Sequence, residues 1–400
     1  MSANAPPRSQ KRPLASDLPV PSAEARAHSA RMQEKLRSMI GAHGGRISFE
    51  TYMNACLFQP QLGYYRCGTE KFGAGGDFIT AAEDSLLFAQ CLARFKSRVD
   101  CANQILEVGA GTGTLAAGML SWLAQHAALP EQYFILELSP ELRQRQQQTI
   151  AAALPEVLDR VVWLDDIPDQ FDGMVIANEL LDAMPVKRFR LKDQKLHEQF
   201  VTWRDGVLCY ENVIASDARL QERVDGLIKD GHIDASGNYL SEVNFVAEDW
   251  LRTLGEKLRA AVVLLIDYGY PRSAYYHAQR HMGTLMCHFR HHVHPDPLIL
   301  PSIQDITAHI DFTAMADAAL AAGMDVAGFT TQGYFLMNMG VLSALDKNQT
   351  QSREYVMLAN EIKKLTLPGE MGERFKVLAL SKGLELAVPG FDMHDMRHLL

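Results

Sequence analysis

The chain contains 400 residues, of which 47% are hydrophobic and 22% are charged. This length exceeds that of one ordinary domain, and the balance is that of a folded globular protein rather than a disordered or collagen-like one. The 39 Lys and Arg residues against 48 Asp and Glu residues give a formal net charge of -9. That charge argues against a protein that binds nucleic acid through its phosphate backbone.

The sequence carries no pattern of a secreted or membrane-spanning protein. Its six cysteines form no C-x-x-C pair, and the aliphatic run 260–266 is far shorter than the roughly 20 residues that cross a bilayer. Residues 1–22 lack the apolar core of a secretory signal, and their prolines oppose the amphipathic helix of a mitochondrial presequence. We predict a disordered tail over 1–22, no membrane insertion and a cytoplasmic protein, with the mitochondrial matrix less favoured.

The first predicted elements are helices. One extends from Ala23 to Gly41 and a second from Ser48 to Leu57, where Ser48 has the side chain of an N-cap. A third helical run, Ser85 to Arg98, follows a glycine-rich loop. We interpret residues 23–100 as a helical N-terminal cap that includes this loop.

From residue 104 onward, short apolar strands alternate with helices. The predicted strands are Gln104 to Val108, Tyr133 to Leu138, Val161 to Leu164, Met174 to Asn178, Ala261 to Asp267, Asp325 to Thr331 and Phe375 to Leu380. This alternation is typical of a mainly parallel sheet with helices on both faces. The sequence therefore predicts an α/β core formed by residues 101–186 and 256–400.

An insertion interrupts this alternation between the fourth and fifth strands. Residues 187–190, 198–204 and 207–211 have the pattern of short antiparallel strands, and Asp205-Gly206 has the composition of a hairpin turn. We predict a substrate-side subdomain of antiparallel strands and helices over residues 187–255.

The most specific local motif follows the first core strand and opens a helix. It places Glu107 two positions before a run of alternating glycines, Gly109, Gly111 and Gly113. Such glycines permit a tight turn and a close approach of the backbone to a ligand at a helix N-terminus. A dinucleotide fingerprint requires glycine at 114, where this chain has Thr114. The motif instead resembles that of class I methyltransferases that use S-adenosyl-L-methionine (SAM); a purely structural turn is the alternative.

The next two strand ends carry acids. Glu137 and Leu138 end the second strand, where a carboxylate can accept hydrogen bonds from both hydroxyls of a ribose. Asp165 and Asp166 follow the third strand, where methyltransferases of this class commonly contact the adenine; a solvent-exposed acidic loop is an equal alternative. Because the C-terminal ends of parallel strands meet at one edge of the sheet, these loops are predicted to converge on one crevice.

The fourth strand ends in a loop that faces the transferred methyl group in such a fold. Asn178 is predicted to contact the cofactor, and Glu179 and Asp182 supply carboxylates. A guanidinium stays protonated, so a carboxylate can grip it bidentately and localise its charge away from the attacking nitrogen. We therefore predict Glu179 as this grip. Asp182 is predicted to assist, with a charge at a helix N-terminus as an equal alternative.

These motifs and several others make the chain resemble the MidA-type methyltransferases. The further matching segments are Gly63 to Tyr65, Phe72 to Thr80, Asp267 to Tyr270, Gly283 to Leu285, Gln304 to Thr307 and Met371 to Lys376. The resemblance covers residues 30–385 and implies a class I, Rossmann-like fold with a mainly seven-stranded sheet. Mitochondrial members of this family are complex I assembly factors that methylate an arginine, so the resemblance implies a partner protein that presents an arginine.

The resemblance also gives a role to the glycine-rich loop, whose composition alone indicates only a turn. In the family this loop closes over the cofactor, so Asp77, Phe78 and Thr80 are implied to lie near its methionine end. Glu242, on the insertion, is a candidate second catalytic carboxylate.

Seven of the 14 histidines fall between residues 277 and 309, in no zinc-binding pattern, so we predict no metal site. His291 or His292 is a candidate for orienting the acceptor, with exposed loop histidines as the alternative.

Together, the motifs and the resemblance predict a SAM-dependent protein arginine methyltransferase, with a homodimer left open. Methylation of a different amine or small molecule and a non-enzymatic SAM-binding assembly factor remain alternatives.

Overall fold

A computed structural model describes residues 18–67, 85–345, 352–385 and 387–400. The helices are α1 (Ala23–Ala42), α2 (Phe49–Phe58), α3 (Leu86–Arg98), α4 (Thr114–Gln125), α5 (Pro140–Ala153), α6 (Ala218–Lys229), α7 (Phe245–Lys257), α8 (Arg272–Tyr275), α9 (Phe312–Ala321), α10 (Gln332–Asn338), α11 (Arg353–Thr366) and α12 (Met371–Arg374). The strands are β1 (Arg46–Ser48), β2 (Gln104–Val108), β3 (Gln132–Leu136), β4 (Val161–Leu164), β5 (Phe171–Asn178), β6 (Lys187–Lys192), β7 (Lys195–Arg204), β8 (Val207–Ile214), β9 (Tyr239–Val243), β10 (Leu258–Tyr270), β11 (Met286–Phe289), β12 (His292–His294), β13 (Asp305–Thr307), β14 (Ile310–Asp311), β15 (Asp325–Thr331) and β16 (Phe375–Lys382).

The central sheet is the mainly parallel, seven-stranded sheet that the sequence predicts. Its strand order is β15-β16-β10-β5-β2-β3-β4, with the two-residue β14 beside the end of β10. Strands β4, β3, β2, β5 and β10 are parallel to one another, whereas β16 is antiparallel to both of its neighbours. The C-terminal ends of the parallel strands therefore meet along one edge, where the predicted site lies.

Helices cover both faces of this sheet. Along β10, Val262 and Leu264 pack into one apolar cluster with α3 and α4, while Val263 and Leu265 pack into another with α7 and α9. This alternation explains why the core strands are continuous apolar runs, since both faces are buried. The packing of α3 favours assigning it to the core, although the sequence analysis grouped it with the N-terminal cap.

The N-terminal cap and the insertion share one apolar core. The second sheet has the order β1-β7-β6-β9, with β8 beside β7, and Ile47 of β1 pairs with Val201 of β7. Residues of α1 and α2 pack with this sheet and with the three-stranded sheet β12-β11-β13. The predicted hairpin turn is confirmed, because Asp205 and Gly206 have φ angles of 51° and 80°.

Two predictions from the sequence concern residues that the structure does not describe. Asp77, Phe78 and Thr80 lie outside the described residues, as does most of the predicted N-terminal tail. Among the helices in the described ranges, none is both long and apolar enough to cross a membrane.

Candidate active site

A cavity of about 520 Å³ lies at the C-terminal ends of β2, β3, β4 and β5. This volume is within the range of pockets that bind small molecules and cofactors. The predicted cofactor residues that line it are Glu107, Gly109, Gly111, Glu137, Leu138, Asp165, Asp166 and Asn178. Glu179 also lines it, so the four strand ends converge on one cavity as expected.

The glycine motif forms a turn that requires glycine. Gly109, Gly111 and Gly113 have φ angles of 73°, 51° and 86°, in the left-handed region that other residues rarely adopt. A Cβ atom at Gly113 would lie 2.8 Å from Cα of Gln146, and one at Gly109 would lie 3.0 Å from Cδ1 of Leu180. Gly113 does not line the cavity; it sets the start of α4, where it is the N-cap.

Glu137 lines the cavity, and its carboxylate can accept further hydrogen bonds. Its Oε1 accepts a hydrogen bond from the Ser139 amide at 2.8 Å, and its Oε2 accepts one from Gln146 Nε2 at 3.2 Å. Each carboxylate oxygen can accept a second bond, so two hydroxyls of a ribose could be bound. Burial raises the pKa of the Glu137 carboxyl above its usual value.

Gln146 supports this region and was not identified from the sequence. Its Nε2 also donates to the main-chain oxygen of Gly111 at 3.0 Å, and its Oε1 accepts from Trp163 Nε1 at 2.9 Å. It thereby links the glycine turn to Glu137. A single polar residue within a helical pattern gives no signal of such a role.

Glu107 is buried below the glycine turn. Its side chain accepts a hydrogen bond from the Tyr133 hydroxyl at 2.7 Å, and burial raises its pKa to about 7. Its position at the end of β2 is the one that the motif predicts.

Asp165 and Asp166, which follow β4, line the cavity, and each forms an ion pair. Asp165 pairs with Arg143 at 2.6 Å, and Asp166 pairs with Lys257 at 2.8 Å; both side chains are largely exposed. Trp250 and Thr253 of α7 complete this end of the cavity. The sequence analysis missed both, because α7 belongs to the predicted insertion rather than to a strand end.

At the other end, Glu179 is held in an uncommon backbone conformation. Its φ of 49° is left-handed for a residue with a side chain, and such strain clusters at functional sites. Its amide donates to the main-chain oxygen of Ile266 at 2.9 Å. The carboxylate accepts from Asn178 Nδ2 at 3.2 Å and from the Tyr268 hydroxyl at 3.4 Å.

Asp182 lies behind this loop, next to two other buried acids, and does not line the cavity. Burial and the charges of Asp267 and Asp305 raise its pKa well above the usual value. Burial and the charge of Glu179 raise the pKa of Asp267 to about 8. The assisting role of Asp182 therefore stays a prediction, because its side chain lies outside the cavity lining.

Glu242 does not line the cavity either. It is fully buried, pairs with Arg188 at 3.2 Å and accepts a hydrogen bond from the Thr284 amide at 2.9 Å. These contacts favour a structural role, and the catalytic role of Glu242 stays a prediction without a supporting contact.

His291 and His292, the candidates for orienting the acceptor, lie at the β11–β12 hairpin and are exposed. The histidine nearest to Tyr268 is instead His309, at 6.2 Å between ring centroids. The role of His291 or His292 therefore stays a prediction.

Among the described residues, no group of three or more His, Cys, Asp or Glu side chains is placed to hold a metal ion. SAM, in contrast, fits the residues that are present. The glycine turn leaves room for a close approach, each Glu137 oxygen can accept a further bond, and the buried Asn178 Oδ1 has no hydrogen-bond partner among the described residues. The cavity therefore offers acceptors for the hydroxyl and amino groups of SAM.

Comparisons with known proteins agree with this geometry. A crystal structure of a Burkholderia thailandensis protein bound to S-adenosyl-homocysteine superposes with a TM-score of 0.89 and 41% identity, covering 96% of this chain and 100% of that one. "Protein arginine methyltransferase NDUFAF7 homolog, mitochondrial" from Drosophila melanogaster is 28% identical, over 92% of this chain and 89% of its own. The human "Protein arginine methyltransferase NDUFAF7, mitochondrial" is 27% identical, over 84% of this chain and 80% of its own.

The family assignment follows from a match along more than half of the chain. Residues 86–330 match the sequence model of a family described as "Putative S-adenosyl-L-methionine-dependent methyltransferase". That segment contains the glycine turn, Glu137 and Glu179, the residues around which the cavity is built. The chain therefore belongs to this family of SAM-dependent methyltransferases.

Proposed function

We propose that this methyltransferase transfers the methyl group of SAM to a guanidinium nitrogen of an arginine in a partner protein. The observation that carries the proposal is the Glu179 carboxylate, which lines the cavity and is fixed through both of its oxygens. The names of the Drosophila and human relatives support an arginine as the acceptor. The resemblance to complex I assembly factors makes a respiratory-complex subunit the first partner to test.

SAM supplies an electrophilic methyl group on its sulfonium sulfur. In the transfer, a carbon–nitrogen bond forms, the carbon–sulfur bond breaks, and the attacking nitrogen loses one proton. Glu179 would bind the guanidinium bidentately and draw its positive charge away from the attacking nitrogen. The chain's main contribution is therefore positioning and electrostatic stabilisation.

The remaining assignments belong to the same proposal. Glu137 would bind the ribose hydroxyls, and the glycine turn would let the backbone approach the cofactor. Asp77, Phe78 and Thr80 would cover it. The division into cap, core and insertion, the cytoplasmic location and the open question of a homodimer also stay predictions.

The test is methyl transfer from labelled SAM to protein extract, followed by acid hydrolysis and separation of the methylated amino acids. We expect label in methylarginine with the unaltered enzyme, and little with Glu179→Gln. Calorimetric titration should show that both bind SAM equally and that neither binds NAD. Label in another amino acid or in a small molecule would contradict the arginine assignment.

A further inference from the structure

Three consecutive residues at the end of β10 hold the loop that carries Glu179. The main-chain oxygen of Ile266 accepts from the Glu179 amide at 2.9 Å. Asp267 Oδ2 accepts from the amides of Leu181 and Asp182 at 2.9 and 3.2 Å. The Tyr268 hydroxyl then reaches the Glu179 carboxylate itself.

Of these three residues, Tyr268 alone contacts the carboxylate. Asn178, which bonds the other carboxylate oxygen, is the last residue of β5 and the chain neighbour of Glu179. Tyr268 belongs to the neighbouring strand β10, so its bond connects the carboxylate to a second strand of the sheet. Two bonds from different directions restrict the rotation of a side chain that otherwise has several rotamers.

The position of the Tyr268 hydroxyl is in turn set by the sheet. Tyr268 pairs with Phe375 of β16 in the antiparallel register, and their ring centroids are 4.0 Å apart. Phe375 is itself buried. The ring therefore has a packed neighbour that does not depend on the Glu179 loop.

We propose that Tyr268 is a positioning residue for methyl transfer, which holds the Glu179 carboxylate in the orientation that grips the acceptor. This inference rests on the proposed function, because it gives Glu179 a cationic acceptor to bind. The hydroxyl donates a hydrogen bond and thereby also stabilises the ionised carboxylate. Asp267 complements it by fixing the backbone of the same loop.

The chain supplies a matched control two residues further along β10. Tyr270 lies on the same face of the strand as Tyr268, and its ring also neighbours His309, at 5.4 Å. Its hydroxyl has no hydrogen bond to any residue in the described part of the chain. Tyr268→Phe and Tyr270→Phe therefore remove the same atom from the same face of β10, but the first alone removes a contact with Glu179.

The first measurement follows the Glu179 carboxyl directly and needs no acceptor. The full chain is labelled with 13C at the glutamate carboxyl carbon, and the Glu179 signal is assigned by its loss in Glu179→Gln. In Tyr268→Phe we expect this signal to titrate at a higher pH than in the unaltered protein, because a hydrogen bond to the ionised form is lost. Tyr270→Phe should titrate like the unaltered protein. Coincident curves for all three proteins would overturn the proposal.

The second measurement separates catalysis from cofactor binding. With N-acetyl-arginine amide and protein extract as the acceptors, Tyr268→Phe should lower kcat by about fivefold or more, as expected for loss of one modest hydrogen bond. Its calorimetric affinity for SAM and the activity of Tyr270→Phe should be unchanged. An equal loss in both tyrosine variants would contradict positioning. If the unaltered enzyme labels no arginine while the titration shift persists, the proposed function fails and the contact is only structural.

Discussion

Arg66 donates a hydrogen bond from Nη1 to the main-chain oxygen of Leu138 at 3.1 Å, and both residues line the cavity. Arg66 follows α2 in the N-terminal cap, whereas Leu138 follows β3 in the core. The bond therefore joins the cap to the core beside the cavity. Next to it, the Tyr65 hydroxyl is bound to Asp305 Oδ1 at 2.9 Å, which ties the same turn to β13.

Because this bond joins two walls of the cavity, its loss should weaken ligand retention. We expect Arg66→Ala to increase the rate of S-adenosyl-homocysteine release by about three- to tenfold, the equivalent of one ordinary hydrogen bond. Stopped-flow displacement measures this rate. Arg98→Ala is the control, since Arg98 makes a similar bond to the Asn338 carbonyl oxygen at 3.4 Å and does not line the cavity. Equal release rates in the two variants would contradict this view of Arg66.

A substitution of Glu137 should act on cofactor binding alone. Glu137→Gln keeps the shape of the side chain but replaces one acceptor oxygen by an NH2 group, which would face hydroxyl and amide donors. We expect SAM affinity to fall by about tenfold or more, consistent with the loss of a hydrogen bond to a charged group. Calorimetry measures the affinity, and the exposed Glu156→Gln serves as the control. An unchanged affinity would show that the ribose is bound elsewhere.

The sequence predicted the central sheet well, because its strands are apolar runs with clear boundaries. The predicted and observed bounds of β2 and β4 agree, and Ser48 caps α2 by accepting from the Thr51 amide at 3.1 Å. The short strand β1 was missed, since its pairing with β7 depends on a residue far away in the chain. A second tight turn, at Asp193 and Gln194, contains no glycine and gave no signal, although both φ angles are positive.

For the site, the sequence identified the residues at strand ends and missed those that pack against them. Gln146 and Trp250 lie within helices, and only the folded chain brings Gln146 to the glycine turn and Trp250 to the cavity. Asp267 and Tyr268 belong to a segment that matches the family, but their contacts with the Glu179 loop come from the pairing of β10 with β5. Such roles arise from tertiary contacts, which periodicity and motif spacing do not encode.

Trp250 gives a direct optical test of where the cofactor binds. The chain has four tryptophans, and Trp250 is the only one of them among the residues that line the cavity. We expect SAM to quench the tryptophan fluorescence, and Trp250→Phe to abolish most of this change. Trp203→Phe should retain it, because Trp203 lies on β7 of the second sheet. Quenching that persists in Trp250→Phe would place the bound nucleoside away from α7.

The buried Glu107 should make stability depend on pH in a predictable direction. Its pKa is raised from 4.5 to about 7 in the folded protein, so between these values the folded state holds a proton that the unfolded state has lost. Its contribution to the free energy of unfolding is therefore present below about pH 4.5 and is lost as the pH rises to about 7. The loss is on the order of 3 kcal/mol.

Glu107→Gln removes this titration while keeping an oxygen that can accept the Tyr133 hydrogen bond. Relative to the unaltered protein, the variant should therefore gain stability as the pH rises from about 5 to about 7. Denaturant unfolding at several pH values measures the difference, and Glu131→Gln, at an exposed position, controls for the loss of a surface charge. If the curves of Glu107→Gln and the unaltered protein stay parallel across this range, Glu107 is already ionised in the folded state. Its burial would then be offset by a stabilising contact beyond the one with Tyr133.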